Sequence, residues 1–160
     1  MKASMDRQEI TWVEKTFAAL SLEELYKILQ LRQEIFVLEQ ACVYRDLDNK
    51  DQLSCHLMAW QGDTLVAYTR LIPYGISYPD ALSIGRVATA SAFRGRGLGG
   101  ELMRRSIDGA YGLYGGKTIK IGAQQHLEAF YNALGFEQTS EPYMDAGILH
   151  IEMTLPPRER

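Results

Sequence analysis

Hydrophobic positions change their spacing several times along the chain, and each change predicts an element. Residues 10–18, ITWVEKTFA, predict an opening strand. Ser21-Leu-Glu-Glu24 is a capping box, in which the serine oxygen takes a free amide and Glu24 reaches back. Leu22, Leu25, Leu29, Arg32 and Phe36 then share one face, which predicts an amphipathic helix from 22 to about 38. A charged loop, CVYRDLDNKDQ, covers 42–52. CHLMAWQGDTLVAYTRLIPY predicts a hairpin turning at Gln61-Gly62-Asp63, and Pro73, Gly75 and Pro79 mark a loop. A strand follows over 82–90, and Leu98, Leu102, Met103, Ile107 and Ala110 keep helical spacing to about 113. The pattern then predicts a strand over 118–123, a short helix over 126–136 stopped at Gly135, and one closing strand, EPYMDAGILHIEMTL, before Pro156-Pro157. Strand, helix, several strands, then strand–loop–helix–strand–helix–strand is the order of an α/β protein with one mixed sheet, and 1–160 is expected to be a single domain.

Composition narrows the class. The net charge of −3 gives no general affinity for nucleic acid or anionic membrane, so any anion site must be local. No apolar run is long enough to cross a bilayer, and the first residues lack a signal-peptide core, so the expected location is cytoplasmic. Cys42 and Cys55 have neither zinc nor redox spacing and read as reduced, partly buried thiols. None of the three histidines has metal-ligand spacing, so no metal is expected.

The chemistry concentrates in AFRGRGLGGELM, residues 92–103. Eight of the 14 glycines lie between 95 and 116, too many for a plain turn. Glycines between a strand and a helix start leave backbone N–H groups open to an anion, with the helix dipole behind them. Gly95-x-Gly97-x-x-Gly100 has the dinucleotide pattern, but the next strand ends in Gly122, Ala123 and Gln124 with no carboxylate for a ribose. No Gly-Lys-Ser/Thr closes this glycine loop, so the nucleoside triphosphate reading fails too. Arg94 and Arg96 add positive charge suited to the pyrophosphate or ribose phosphate of coenzyme A.

Arg94-x-x-Gly97-x-Gly99 and the downstream AFYNALGF, 129–136, resemble the two signature segments of the GNAT superfamily of acyl-CoA N-acyltransferases. ILQLRQEIFVLEQACVYRDLD at 28–48, His56, IGRV at 84–87, GAQ at 122–124 and DAGILHIEM at 145–153 resemble its ElaA-like branch, so that the likeness spans about 20–155. The resemblance implies a GNAT fold, a central, mostly antiparallel sheet splayed into a V where acetyl-CoA enters. It implies a main-chain role for Val87, Ala88 and Thr89 along the pantetheine arm, with a bulge aiming an N–H at the thioester carbonyl. It implies that the amides of Gly95 to Gly100, with Leu98 and Gly99 among them, hold the pyrophosphate, and it adds Gln124 to the cofactor site. It makes Tyr131 the general acid for the leaving thiolate, where spacing alone, beside Phe130 and Phe136, reads as an aromatic core.

The base is less constrained. A primary amine is protonated at neutral pH, and freeing it costs about 4 kcal/mol. Many GNAT enzymes use a glutamate on the strand before the second segment, and Ile119 stands at the corresponding position. Glu39, Asp46, Asp48, His56, Glu141 and His150 remain, with Glu39 and His150 preferred. Glu39 with Arg86 or Arg32 reads equally as an ion pair. Tyr44, Asp46 and Asp48, with Arg32, His56 and Arg86, are expected on the acceptor side.

The leading expectation is acetyl transfer from acetyl-CoA directly to a primary amine on a small molecule or peptide. Neither nucleic acid nor membrane is expected as a partner, and a homodimer is plausible for such a sheet. The first rival is an acyl-CoA binding module without catalysis, which the missing strand glutamate favours. A nucleotide-binding protein, or a regulator using Arg94, Arg96, Arg104 and Arg105 on nucleic acid, explains less.

Overall fold

A computed structural model of the chain describes residues 9–159. Its first sheet has strands β1 (Thr11–Thr16), β2 (Cys55–Gln61), β3 (Thr64–Ile72) and β4 (Ser83–Thr89), in that spatial order and all antiparallel. The second is built on β8 (Ile148–Leu155), flanked by β5 (Ile119–Gln124) and β6 (Glu137–Gln138), with β7 (Tyr143–Asp145) also paired to β8. Helix α1 (Leu22–Arg32) lies against one face of the first sheet, and α2 (Leu98–Tyr114) covers the other. The short α3 (Glu128–Ala133) packs with α2 on the second sheet.

The two sheets meet at a single point. Leu82 bridges Ile119 in parallel, with Leu82 N donating to Thr118 O at 2.9 Å and Lys120 N donating to Leu82 O at 2.9 Å. Beyond that bridge β4 and β5 have no ladder between them, so they diverge as a V. Leu82, Ile119 and Ile121 are buried under Met103 and Ile107 of α2, so apolar packing holds the closed end while the open end points towards the start of α2. This is the mostly antiparallel, splayed α/β sheet that the resemblance implies.

The predicted elements stand with three differences. The first helix ends at Arg32 and continues as a π-helical segment, Gln33–Glu39. Its buried side is formed by Ile28, Leu31, Arg32 and Ile35, whereas Leu22, at the first helical position, is exposed. The capping box is present, with Glu24 N donating to Ser21 Oγ at 3.0 Å and Ser21 N to Glu24 Oε1 at 2.8 Å. The closing strand is two strands: Ala146 and Gly147, at φ 50° and 80°, make the tight turn of a β7–β8 hairpin. Third, Glu137–Gln138 adds a short strand, β6, that the pattern did not predict.

A buried ion network ties the charged loop to this frame. Arg32 Nη1 and Arg70 Nη1 donate to Asp51 Oδ1 at 2.7 and 3.0 Å. Arg32 Nε reaches Asp46 Oδ2 at 3.0 Å, and Arg70 Nη2 reaches Asp48 Oδ2 at 2.5 Å. Burial by itself would raise the carboxyls of Asp48 and Asp51, but the arginine hydrogen bonds and charges hold both below the usual range. Arg32 and Arg70 are held in the charged form by the same pairs, against burial.

Candidate active site

A cleft of about 830 Å³ occupies the opening of the V. One wall is β4 from Ile84 to Val87, with Thr89; the other is Ile121, Gly122 and Gln124 of β5. Phe130 and Tyr131 of α3 close one end, and Tyr44, Asp145 and His150 stand at the other side.

The β4 wall carries a bulge. Arg70 pairs with Gly85, but the next opposed pair is Tyr68 with Ala88, so Arg86 and Val87 together face Thr69. Arg86 sits at φ 53°, a left-handed conformation that costs a residue with a side chain about 1–2 kcal/mol. Such a bulge leaves main-chain groups of β4 out of the ladder, on the stretch Ile84–Val87 that lines the cleft. Ala88 points its side chain into the α1 core, so it can serve the cleft only through its backbone. The carbonyl of Thr89 accepts from Arg94 Nε at 3.2 Å.

The glycine loop ends at Gly97, which caps α2 at φ 77° with no side chain bonding the first amides. Gly95 has the same φ, and the space where either Cβ would stand is open. These are the features of an anion cradle: accessible N–H groups, a 17-residue helix behind them, and Leu98 buried as the anchor. Gly99 lines the cleft directly, and at Gly100 a Cβ would crowd the Arg104 guanidinium at 3.2 Å. Arg96 rests its guanidinium 5.6 Å from the Phe93 ring centre at the rim.

Arg94 is engaged. Both its terminal nitrogens bond the carboxylate of Glu39, Nη2 to Oε2 at 3.0 Å. Glu39 therefore pairs with Arg94, and not with Arg86 or Arg32 as the sequence reading allowed. The arginine hydrogen bond lowers the Glu39 pKa, the opposite of what a base in this cleft needs. Its neighbour Gln40 accepts from Gln124 Nε2 at 3.3 Å, and Cys42 Sγ donates to Ala146 O at 3.0 Å. Three consecutive contacts thus carry residues 39–42 across the mouth of the V, with Ala41 at φ 52° making the bend. Gln40, Cys42, Asp145 and His126 line the cleft and were not singled out for the site from the sequence. The bend at Ala41 brings Gln40 and Cys42 there, the β7–β8 turn Asp145, and the single turn after β5 His126.

Tyr131 is buried between Phe130 and Phe136, edge-on to both, yet it lines the cleft and its hydroxyl has no partner within the described protein. The aromatic-core and cleft readings are therefore both satisfied by one side chain. Burial pushes its pKa up to about 12, so the hydroxyl keeps its proton and has it to donate. His150 is stacked on Tyr143, with ring centres 5.9 Å apart. Its Nδ1 lies 2.7 Å from Ile148 O. A carbonyl can only accept, so Nδ1 donates, and in the neutral ring the lone pair lies on Nε2.

The remaining acceptor-side expectations need correction. His56 is buried in the first sheet, Nδ1 2.6 Å from Tyr68 Oη and Nε2 2.9 Å from Asp51 O, and does not line the cleft. Arg32 is fully buried, and Asp48 is bound to Arg70; neither lines the cleft. Asp46 is spent on Arg32, Arg86 and the Tyr44 hydroxyl. The loop is a structural brace with Tyr44 at its cleft edge, because three aspartates are neutralised by three arginines. Glu141 lies exposed outside the cleft, and Ile119, at the family's glutamate position, is buried at the closed end of the V.

Residues 13–156 match the acetyltransferase (GNAT) domain family. The UPF0039 protein sll0451 of Synechocystis is 42% identical over 146 residues, 91% of this chain and 94% of its own length. The crystal structure of an acyl-CoA N-acyltransferase from Pseudomonas aeruginosa has a TM-score of 0.87 to this chain at 41% identity, covering 92% of this chain and 99% of that one. The crystal structure of Escherichia coli ElaA reaches 0.86 at 36% identity over the same shares.

Proposed function

Because the chain belongs to the GNAT acetyltransferase family, we propose that it transfers an acetyl group from acetyl-CoA directly to a primary amine. The observation that carries this reading is the V cleft itself, with an uncapped glycine-loop helix start at its rim and an unpartnered tyrosine hydroxyl within. The open amides from Gly95 to Gly100 fit a pyrophosphate, and Arg94, once it exchanges Glu39, and Arg96 fit its charge. Acetyl-CoA supplies the acetyl group as an activated thioester.

The protein's part is to place donors and a proton acceptor. His150 Nε2 takes the proton that the ammonium must lose before its nitrogen can attack. Main-chain N–H groups at the β4 bulge meet the charge that develops on the carbonyl oxygen. The Tyr131 hydroxyl donates to the departing sulfur. No acyl-enzyme is needed: Cys42 Sγ is hydrogen-bonded to Ala146 O, and burial, with Glu14 beside it, pushes Cys55 up to about 11.

The test is thiol release from acetyl-CoA in the presence of amino acids, polyamines and peptides with free amino termini. Turnover that requires an amine and yields the acetylated product supports the reading. Binding of acetyl-CoA without turnover of any amine favours the rival, a non-catalytic acyl-CoA module, to which the buried Ile119 at the glutamate position lends weight.

A further inference from the structure

Of the charged groups in the network beside the cleft, Arg86 is the one that lines it. Asp46 Oδ1 lies 2.8 Å from Arg86 Nε, though the N–H is not aimed at it, and Asp46 O accepts from Nη2 at 2.8 Å. Asp48 Oδ2 stands 3.4 Å from the same nitrogen, and the Tyr44 ring lies 5.5 Å from the guanidinium carbon. Tyr44 Oη in turn donates to Asp46 Oδ1 at 3.1 Å. Asp46 and Asp48 are themselves fixed to α1 and β3 through Arg32 and Arg70. The arginine so gripped is the residue whose backbone is left-handed in the β4 bulge.

A bulge alone would be made at lower strain by glycine, and Gly85 is the adjacent residue. A charged acceptor pocket would leave charge free, yet here three arginines meet three aspartates and the Arg86 side chain is only 20% exposed. We infer that Asp46, with Tyr44 and Asp48, is a positioning residue: by gripping the Arg86 side chain it holds the β4 bulge in the conformation that presents its N–H groups to the acyl carbonyl. The inference rests on acyl transfer in this cleft, and it gives the loop a mechanical role in place of contact with the acceptor.

Two readouts on the full chain test it. The first is kcat and the KM for acetyl-CoA, with the best amine of the panel above as probe. The second is the NMR amide shifts of Val87 and Ala88, which report the bulge whether or not any amine turns over. R86A and D46N are expected to lower kcat about 10- to 100-fold, the cost of a misplaced group, with acetyl-CoA KM within about threefold, and to move both amides. R86G also loses the guanidinium but suits φ 53°, so it is expected to keep both amides near their parental shifts and to exceed R86A in kcat by about fivefold or more. In R86G each aspartate still has another arginine, which keeps the fold intact. Should R86A fail to fold, R86K takes its place, with a stem that cannot fork between Asp46 and Asp48. R86G as slow as R86A, with the amides unmoved in both, would show the guanidinium acting on substrate and overturn the inference; so would D46N at parental kcat. If the parent turns over no amine, it is the acyl-transfer reading that fails. The amide shifts then decide the grip alone: moved in D46N and restored in R86G sustains it, unmoved in D46N overturns it.

Discussion

At the scale of single residues, burial sets the roles. Tyr131 is a donor because its surroundings keep it protonated, and its hydroxyl is free to turn to a ligand. Y131F removes one oxygen and no packing, so it should lower kcat by about 10²–10⁴, the usual worth of a general acid, and leave the melting temperature within a degree or two. Steady-state kinetics beside a thermal melt check this. His56 shows the opposite use of a titratable group. Burial lowers its pKa, and its neutral form is fixed by Tyr68 Oη at Nδ1 and Asp51 O at Nε2. The unfolded chain takes up this proton as the pH falls through about 6.5, and the folded chain does not, so unfolding becomes easier. Stability should therefore slope downward from pH 7.5 to 5.5, by at most about 1.4 kcal/mol per unit, and H56Q should flatten that slope in pH-dependent melts. The depressed carboxyls of Asp48 and Asp51 act in another window. Their contribution is complete above about pH 4 and is lost as the pH falls below it, because the unfolded chain takes up protons there that the folded chain does not.

Elements differ in what their charges are worth. The loop 44–53 is held by pairs removed from water, and Asp51 alone serves both Arg32 and Arg70. D51N leaves two buried guanidiniums short of a counter-charge and should cost about 3–5 kcal/mol in chemical denaturation. The segment 39–42 is held by an exposed pair, Glu39 and Arg94, each side chain more than 40% accessible. E39Q should change stability by less than about 1 kcal/mol. It frees Arg94 for phosphate, however, so coenzyme A should bind several-fold tighter by isothermal titration. The capping box and the hairpin turn were legible because their chemistry is local. The π-helical turn after Arg32 was not, since the same apolar spacing serves a regular helix until Arg32 finds Asp46 and Asp51 across the fold. The β7–β8 turn was legible in principle as Asp145-Ala146-Gly147, but it lay within a run of strand-forming residues.

For the whole molecule, the V makes one continuous cleft out of two sheets, and a ligand that spans it braces both arms. Coenzyme A at about 100 times its Kd should add about 2.7 kcal/mol, or roughly 5–11 °C in the melting temperature of a chain this long. NAD and ATP at equal concentration should give no comparable shift, because the tip of β5 offers no carboxylate to a ribose and no Gly-Lys-Ser/Thr closes the glycine loop. A shift with NAD alone would contradict the assignment of the glycine loop.

The sequence by itself determined the order of the elements, the α1 capping box, the place of the glycine loop between strand and helix, and the likeness to GNAT proteins. Each of these depends on neighbours within a few positions or on a motif carried whole. Only the tertiary structure decided which charges meet. Glu39 finds Arg94, 55 residues away, and Arg86 finds Asp46, 40 residues away. His56 is claimed by Tyr68 and Asp51 inside the sheet. Spacing fixes which face a side chain takes on its own element, but the counter-charge facing it comes from another element, and that pairing sets both pKa and role. For the same reason residues 44–48 read as an acceptor lip from their composition and act as a brace in the fold.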